Sequence, residues 1–208
     1  MTERITFHFD PGCPWAWQSA KWIREVATVR DIEIEWRLYS LALANRPEED
    51  SLTDAHAQGT AALRTLALVR EITGNEGVGT LYEAIGTRCH EQGEELNAET
   101  IRKGLIDAGL DESLLDGALS DEGTMRTVIS EHQAAVDEVG AFGVPTICLA
   151  DGRGIFGPVI AVAPKGAEAG ELWDHFRYFL SYDGFFEIKR TRDRKPGFSQ
   201  RGLTGDMR

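Results

Sequence analysis

The chemistry in this chain begins at one sulfur. Residues 9–17 read FDPGCPWAW, with Cys13 directly before Pro14. Proline at the first position of a helix has its φ preset and no N–H to leave unsatisfied. Cys13 is therefore expected at an N-cap, where free backbone N–H groups and the positive end of the helix dipole favour a thiolate. A thiolate is the nucleophile of thiol–disulfide exchange. The unit closes with Ala16, so no neighbouring sulfur can release what Cys13 captures. Cys89, in a helical stretch, and Cys148, in an apolar strand pattern, read as packing. His8, His56, His132 and His175 lack ligand-like spacing, and His90 points away from its neighbour Cys89 on a helix, so no metal is assigned.

A second constellation is Val144-Pro145-Thr146. Proline at the start of a strand cannot donate to the ladder. With a cis bond, Val144 would present unpaired backbone groups to which an extended thiol substrate could add as a strand. A plain trans strand start is the alternative.

These residues need a scaffold. RITFHFD alternates apolar and polar residues and reads as a strand, ended by DPG. From Pro14 the period becomes helical, with Ala16, Ala20, Ile23 and Ala27 on one face and Trp15, Trp22, Val26 and Val29 on the next. DIEIEWRLYS alternates again and completes a parallel β-α-β unit. The stretch 45–140 has helical grammar throughout: TAALRTLALVREI ended by GNEGVG, then LYEAIGTRCHEQ, then NAETIRKGLIDAGL capped by Asn97, then two more helices. Strand character returns at VPTICLA, with DGRG as a turn and IFGPVIAV as hairpin partner. EAGELWDHFRYFLSY closes the pattern as a helix. Its aromatic residues Trp173, Phe176 and Phe179, with Phe186 beyond, read either as core or as the face of a homodimer.

The order implies an α/β, thioredoxin-like fold with an all-helical insertion between its β-α-β half and its β-β-α half. On this reading residues 1–44 and 141–188 form one discontinuous domain and 45–140 the insertion. Residues 189–208 form a flexible basic tail. At 208 residues the chain can bury a sizeable core, and 42% apolar with 27% charged residues is ordinary for a globular protein. The net charge of −12 argues against a nucleic-acid partner. No apolar run approaches the ~20 residues that cross a bilayer. Three widely spaced cysteines and an N-terminus that runs straight into a strand pattern point to a reducing, cytoplasmic setting.

With these motifs in place, the chain resembles the DsbA-like branch of the thioredoxin superfamily. Within it, the chain is most similar to the mycothiol-dependent reductase/nitroreductase group. The likeness rests on DPGCPWAWQSAKW after the first strand, SLALAN after the second, GVPT before the third, FGP in the hairpin, and AGELWDHFRYFLSYDGFFEIKR at the end. It implies that Cys13 is the attacking thiol and that Pro14 and Trp15 shape its helix start. Pro145 would be a cis-proline facing the sulfur, with Val144 and Thr146 beside it in the substrate loop. Asn45 would lie near the reactive centre, its other reading being a loop or cap residue. Ala16 departs from two-cysteine members, which implies a one-thiol cycle with no tightly bound cofactor and a small thiol from solution as co-substrate. Kappa-class glutathione transferases hold glutathione with a Ser-Asp pair where this chain reads Gly157-Pro158-Val159-Ile160. The resemblance therefore implies mycothiol. The competing readings are a kappa-class-like transferase or isomerase and a non-catalytic thioredoxin-fold binding module.

Overall fold

A computed structural model describes residues 2–45 and 54–197, with side chains from Gln58 onward in the second segment. The elements run β1 (Glu3–Phe9), α1 (Pro14–Val29), β2 (Ile32–Leu38), α2 (Leu41–Ala44) and α3 (Asp54–Gly86). A π-helical turn (Thr87–Glu91) and α4 (Ala98–Asp107), α5 (Leu114–Ser120) and α6 (Glu122–Val139) follow. The chain then forms β3 (Thr146–Leu149), β4 (Gly154–Phe156) and α7 (Gly166–Ser181). The sheet order is β2-β1-β3-β4. Strand β1 is parallel to β2 and antiparallel to β3, and β3 is antiparallel to β4. Helices α1 and α7 carry the β-α-β and β-β-α halves, and the helices between β2 and β3 lie between those halves in the chain. This is a thioredoxin-like α/β fold. Among the described residues no helix is long and apolar enough to cross a membrane.

The register decides where chemistry can occur. Because β1 and β3 are antiparallel, with Phe7 opposite Ile147 and His8 opposite Thr146, the start of β3 lies beside the end of β1. The loop that carries Val144 and Pro145 therefore meets the loop that carries Cys13. The segment after β2 emerges at the same end, where ligands of open α/β sheets collect.

Strand β1 is central and its Ile5, Phe7 and Phe9 are fully buried. Helix α1 covers the sheet with Trp17, Ala20, Trp22, Ile23 and Val26. Trp17 and Trp22 straddle the helical stripe read from sequence, whereas Ala27 on that stripe is exposed. From the insertion, Tyr82 stacks on Phe9 at 3.9 Å between centroids and meets Trp17 edge-on at 5.4 Å. Gly86 makes this approach fit, since a Cβ there would lie 2.4 Å from the Trp17 ring.

Strand β2 is an edge, and an open edge invites pairing with another chain. Here side chains occupy it. Asn75 accepts from Trp36 N at 2.8 Å and donates to Ile34 O at 2.8 Å. Arg70 donates to Trp36 O at 2.8 Å, and Glu131 accepts from Leu38 N at 2.7 Å. Arg70 and Glu131 also pair with each other, which joins α3 to α6 across the strand edge.

Several boundaries differ from the sequence expectation. GNEGVG breaks its helix at Gly74 as expected, but the next helix starts at once rather than at Leu81. Gly74 takes φ 73° and ψ −165°, which breaks the helix and lets Asn75 reach β2, and the chain then resumes helical geometry to Gly86. The first residues of the hairpin's second strand pair as expected, but β4 stops at Phe156 because Gly157 sits at φ 112° and Pro158 has no N–H to donate. Trp173 packs against Trp22 in the core, while Phe179 and Phe186 are exposed. Residues 189–197 of the basic tail run back over α1, with Gly197 N donating to Ala161 O at 2.8 Å. Residues 46–53 and 198–208 of the expected insertion and tail lie outside the described residues.

Candidate functional site

Cys13 is the N-cap of α1, with Pro14 at the first helical position. Its Sγ accepts from Ala16 N at 3.4 Å. On its other side the thiol faces Val144 O at 3.9 Å. The Val144–Pro145 peptide bond is cis. Ala16, Tyr39, Ala135, Ala141 and Val144 form a small buried cluster against which Cys13 packs. The Ala16 methyl is wholly enclosed there, directly beneath the sulfur's own helical turn.

The electrostatics of the thiol do not match the sequence expectation. Burial pushes the Cys13 thiol up from its ordinary value. The amides of Ala16 and Trp15 pull it down, the charge of Asp10 adds to the rise, and Arg192 opposes it. The N-cap is present, but the sulfur is half-buried rather than standing in an open turn, so loss of hydration outweighs the amides and the helix end. The other two cysteines are higher still. Burial raises Cys89 to about 11 and Cys148 to about 12.

The remaining expected residues divide. Pro14 and Trp15 open α1 beside the thiol. The guanidinium of Arg192 lies 4.9 Å from the centre of the Trp15 ring. Asn45 is the C-cap of α2 and donates through Nδ2 to Leu41 O at 2.9 Å. It also lines a cleft of about 610 Å³ together with Asp10, Gly12, Gln58, Glu95 and Asn97. Thr146 is different. Its hydroxyl is buried and donates to Gly143 O at 2.8 Å, so it braces the loop from within and does not face the thiol.

Asp10 is the residue that sequence reasoning passed over. It is buried, accepts from Gly12 N at 2.8 Å through Oδ1, and accepts from Leu41 N at 2.9 Å through Oδ2. One carboxylate thus ties the thiol loop to the segment after β2. An Asp two residues before a turn glycine is an Asx-turn signal, and that could have identified it. His90 was set aside as a metal ligand, yet its Nε2 donates to Pro11 O at 2.8 Å and holds the same loop from the π-helical turn. No sequence pattern pairs those two positions. Among the described residues no His, Cys, Asp and Glu cluster could hold a metal ion.

The arrangement can present one sulfur to a disulfide or other soft electrophile, with a backbone carbonyl opposite and a polar cleft alongside. The family model described as Rv2466c-like, mycothiol-dependent nitroreductase Rv2466c, matches residues 12–190. The uncharacterized protein Rv2286c of Mycobacterium tuberculosis (strain ATCC 25618 / H37Rv) is 34% identical over 191 residues, 90% of this chain and 82% of that protein. A probable DsbA oxidoreductase, SCO1869 of Streptomyces coelicolor, superposes with a TM-score of 0.58 at 16% identity, covering 92% of this chain and 94% of that one. The cytosolic disulfide reductase DsbM of Pseudomonas aeruginosa, solved with GSH, gives a TM-score of 0.56 at 15% identity, covering 85% and 96%. The two solved structures speak for the fold; the family model, which spans most of the chain, establishes that it belongs to the Rv2466c-like family of mycothiol-dependent nitroreductases.

Proposed function

We propose that the protein is a cytoplasmic thiol–disulfide oxidoreductase acting through Cys13 alone, with mycothiol from solution resolving the adduct. The observation that carries the reading is the position of the Cys13 sulfur, between Ala16 N at 3.4 Å and Val144 O at 3.9 Å, on the loop whose Asp10 and Gly12 line a cleft with Asn45. The Cys13 thiol gives its proton to solvent, and the thiolate attacks one sulfur of the acceptor disulfide. That S–S bond breaks, the departing sulfur keeps the electron pair and takes a proton, and a Cys13 mixed disulfide forms. Ala16 supplies no second sulfur, so Cys13 leaves as thiolate only when a thiol from solution attacks its partner sulfur.

A raised thiol pKa lowers the thiolate fraction at neutrality, but nucleophilicity rises with pKa with a coefficient of roughly 0.4–0.5. A tenfold smaller fraction therefore slows exchange only about threefold. The predicted profile is a rate that climbs with pH through the alkaline range.

The choice of mycothiol is supported by the family and by the cleft. Its described lining includes the amides of Asn45, Gln58 and Asn97 and the carboxylates of Asp10 and Glu95. Such a surface suits the hydroxyls of a sugar-linked thiol, to which amides and carboxylates offer both donors and acceptors.

The raised thiol also fits the non-catalytic scaffold reading, and one variant separates the two. Cys13→Ser should abolish mycothiol-dependent reduction of a model disulfide while leaving the thermal midpoint near that of the parent. Undiminished turnover by that variant would remove Cys13 from the chemistry.

A further inference from the structure

Past the closing helix, the tail comes back to the thiol. Gly197 is clasped from two sides: its N–H donates to Ala161 O at 2.8 Å, and its carbonyl accepts from the side-chain amide of Gln18. Gln18 is buried in α1, and its Oε1 accepts from Ala163 N at 3.1 Å. A buried amide is stable only when both ends are satisfied, so Gln18 is built to hold this tail segment. Ser19, also buried, fastens the neighbouring segment by donating to Pro158 O at 2.5 Å.

The clasp fixes what precedes it. Asp193 is engaged by Arg194, with Nε to Oδ1 at 2.8 Å, so the nearest carboxylate in the tail is spoken for. Arg192 has no carboxylate within ion-pair distance among the described residues. Its guanidinium lies instead over Trp15, the second residue of α1.

We propose that Arg192 is a positioning residue of the thiol site. The clasped tail lays it on Trp15, and there it acts as a fixed cation that favours the thiolate of Cys13. Among the described residues, the titratable groups near that sulfur are Asp10, Arg192, Tyr82 and His90, the last reaching the same loop at Pro11 and held below its ordinary value by burial. Asp10 from the β1–α1 loop raises the thiol and Arg192 from the tail lowers it. Tyr82 from α3 stays protonated because burial holds its hydroxyl well above the ordinary value. The wall on the Val144 side is backbone and apolar. Arg192 is therefore the cation that offsets Asp10, and because it is exposed its effect is screened by salt.

This inference rests on Cys13 being the reactive thiol. Its test uses iodoacetamide, which reports ionisation at Cys13 whether or not any mycothiol adduct forms. Alkylation of the Cys13 peptide is followed by mass spectrometry across pH in the full chain, in Arg192→Gln and in Arg192→Lys. Each is measured at low salt and at about 1 M salt, where screening sets in beyond ~3 Å. At low salt Arg192→Gln should move the midpoint up by about 0.3–0.5 unit, a two- to threefold smaller thiolate fraction at neutral pH. Arg192→Lys should recover most of that shift, and high salt should bring the parent to the Gln variant's midpoint while leaving the variant unmoved. The proposal is overturned if the Gln variant titrates with the parent at low salt. It is equally overturned if Lys fails to rescue, or if the shift persists undiminished at high salt, since a loosened tail would produce those results without any role for charge.

Discussion

At the scale of single residues, the site is a contest between hydration and hydrogen bonding at one sulfur. Cys13 was legible because the Cys-Pro order encodes an N-cap. Its net electrostatics were not, because helical grammar says nothing of how deeply Val144 and Tyr39 press on the same atom. Asp10 sits on the unfavourable side of that balance while holding the loop together. Asp10→Asn should lower the Cys13 alkylation midpoint, since it removes a negative charge near the sulfur. The same change leaves one carboxamide oxygen where two carboxylate oxygens served Gly12 and Leu41. It should therefore cost about 1–3 kcal/mol in urea unfolding. Faster alkylation without loss of stability would show that Asp10 does not tie the loop. Ala16 offers a complementary prediction. Ala16→Cys places a second sulfur in a fully enclosed position, so it should destabilise by roughly 1–3 kcal/mol. Under mild oxidation it should lose two free thiols with no external thiol present. Retention of both would mean that the pair cannot close.

At the scale of elements, the positions that matter most are those where helices approach the thiol's support. Trp17 lies on α1 one turn from Cys13, and its Nε1 donates to Glu91 on the π-helical turn at 3.2 Å. Gly86 passes under the Trp17 ring. Gly86→Ala must push Trp17 or α3 aside, with an expected loss of about 1–3 kcal/mol on thermal or urea unfolding. An unchanged midpoint would show that the helices adjust freely. The strands, α1 and the capped helices were readable because alternation, proline at a helix start and Asn97 at a cap act locally. The tail's course was not, nor was the immediate return to helical geometry after the Gly74 break. Both are fixed by distant partners, Gln18 for Gly197 and the β2 edge for Asn75.

Over the whole molecule, the buried histidines couple stability to pH. Burial, with Arg37 nearby, lowers His8 from 6.5 to about 4, and burial lowers His90 and His132 as well. A group with a depressed folded pKa favours the fold above its unfolded value. His8 therefore contributes fully above pH ~6.5, and that contribution is lost as pH falls toward about 4. The change amounts to roughly 3 kcal/mol for His8. Urea unfolding of the parent should weaken across that window, and His8→Gln should flatten the slope. A parent whose stability is level from neutrality to pH ~4 would contradict neutral burial of His8. This dependence was invisible in the sequence, since whether a histidine on an alternating strand is buried depends on what covers it.

The proposed activity depends on Cys13 forming and releasing a bond to an external sulfur without a partner in its own chain. Intact mass spectrometry of the protein treated with oxidised mycothiol measures this directly. The account predicts a single adduct of one mycothiol on Cys13, removed by reduced mycothiol and absent in Cys13→Ser. Failure to form that adduct at alkaline pH, or an adduct that persists in the serine variant, would contradict it.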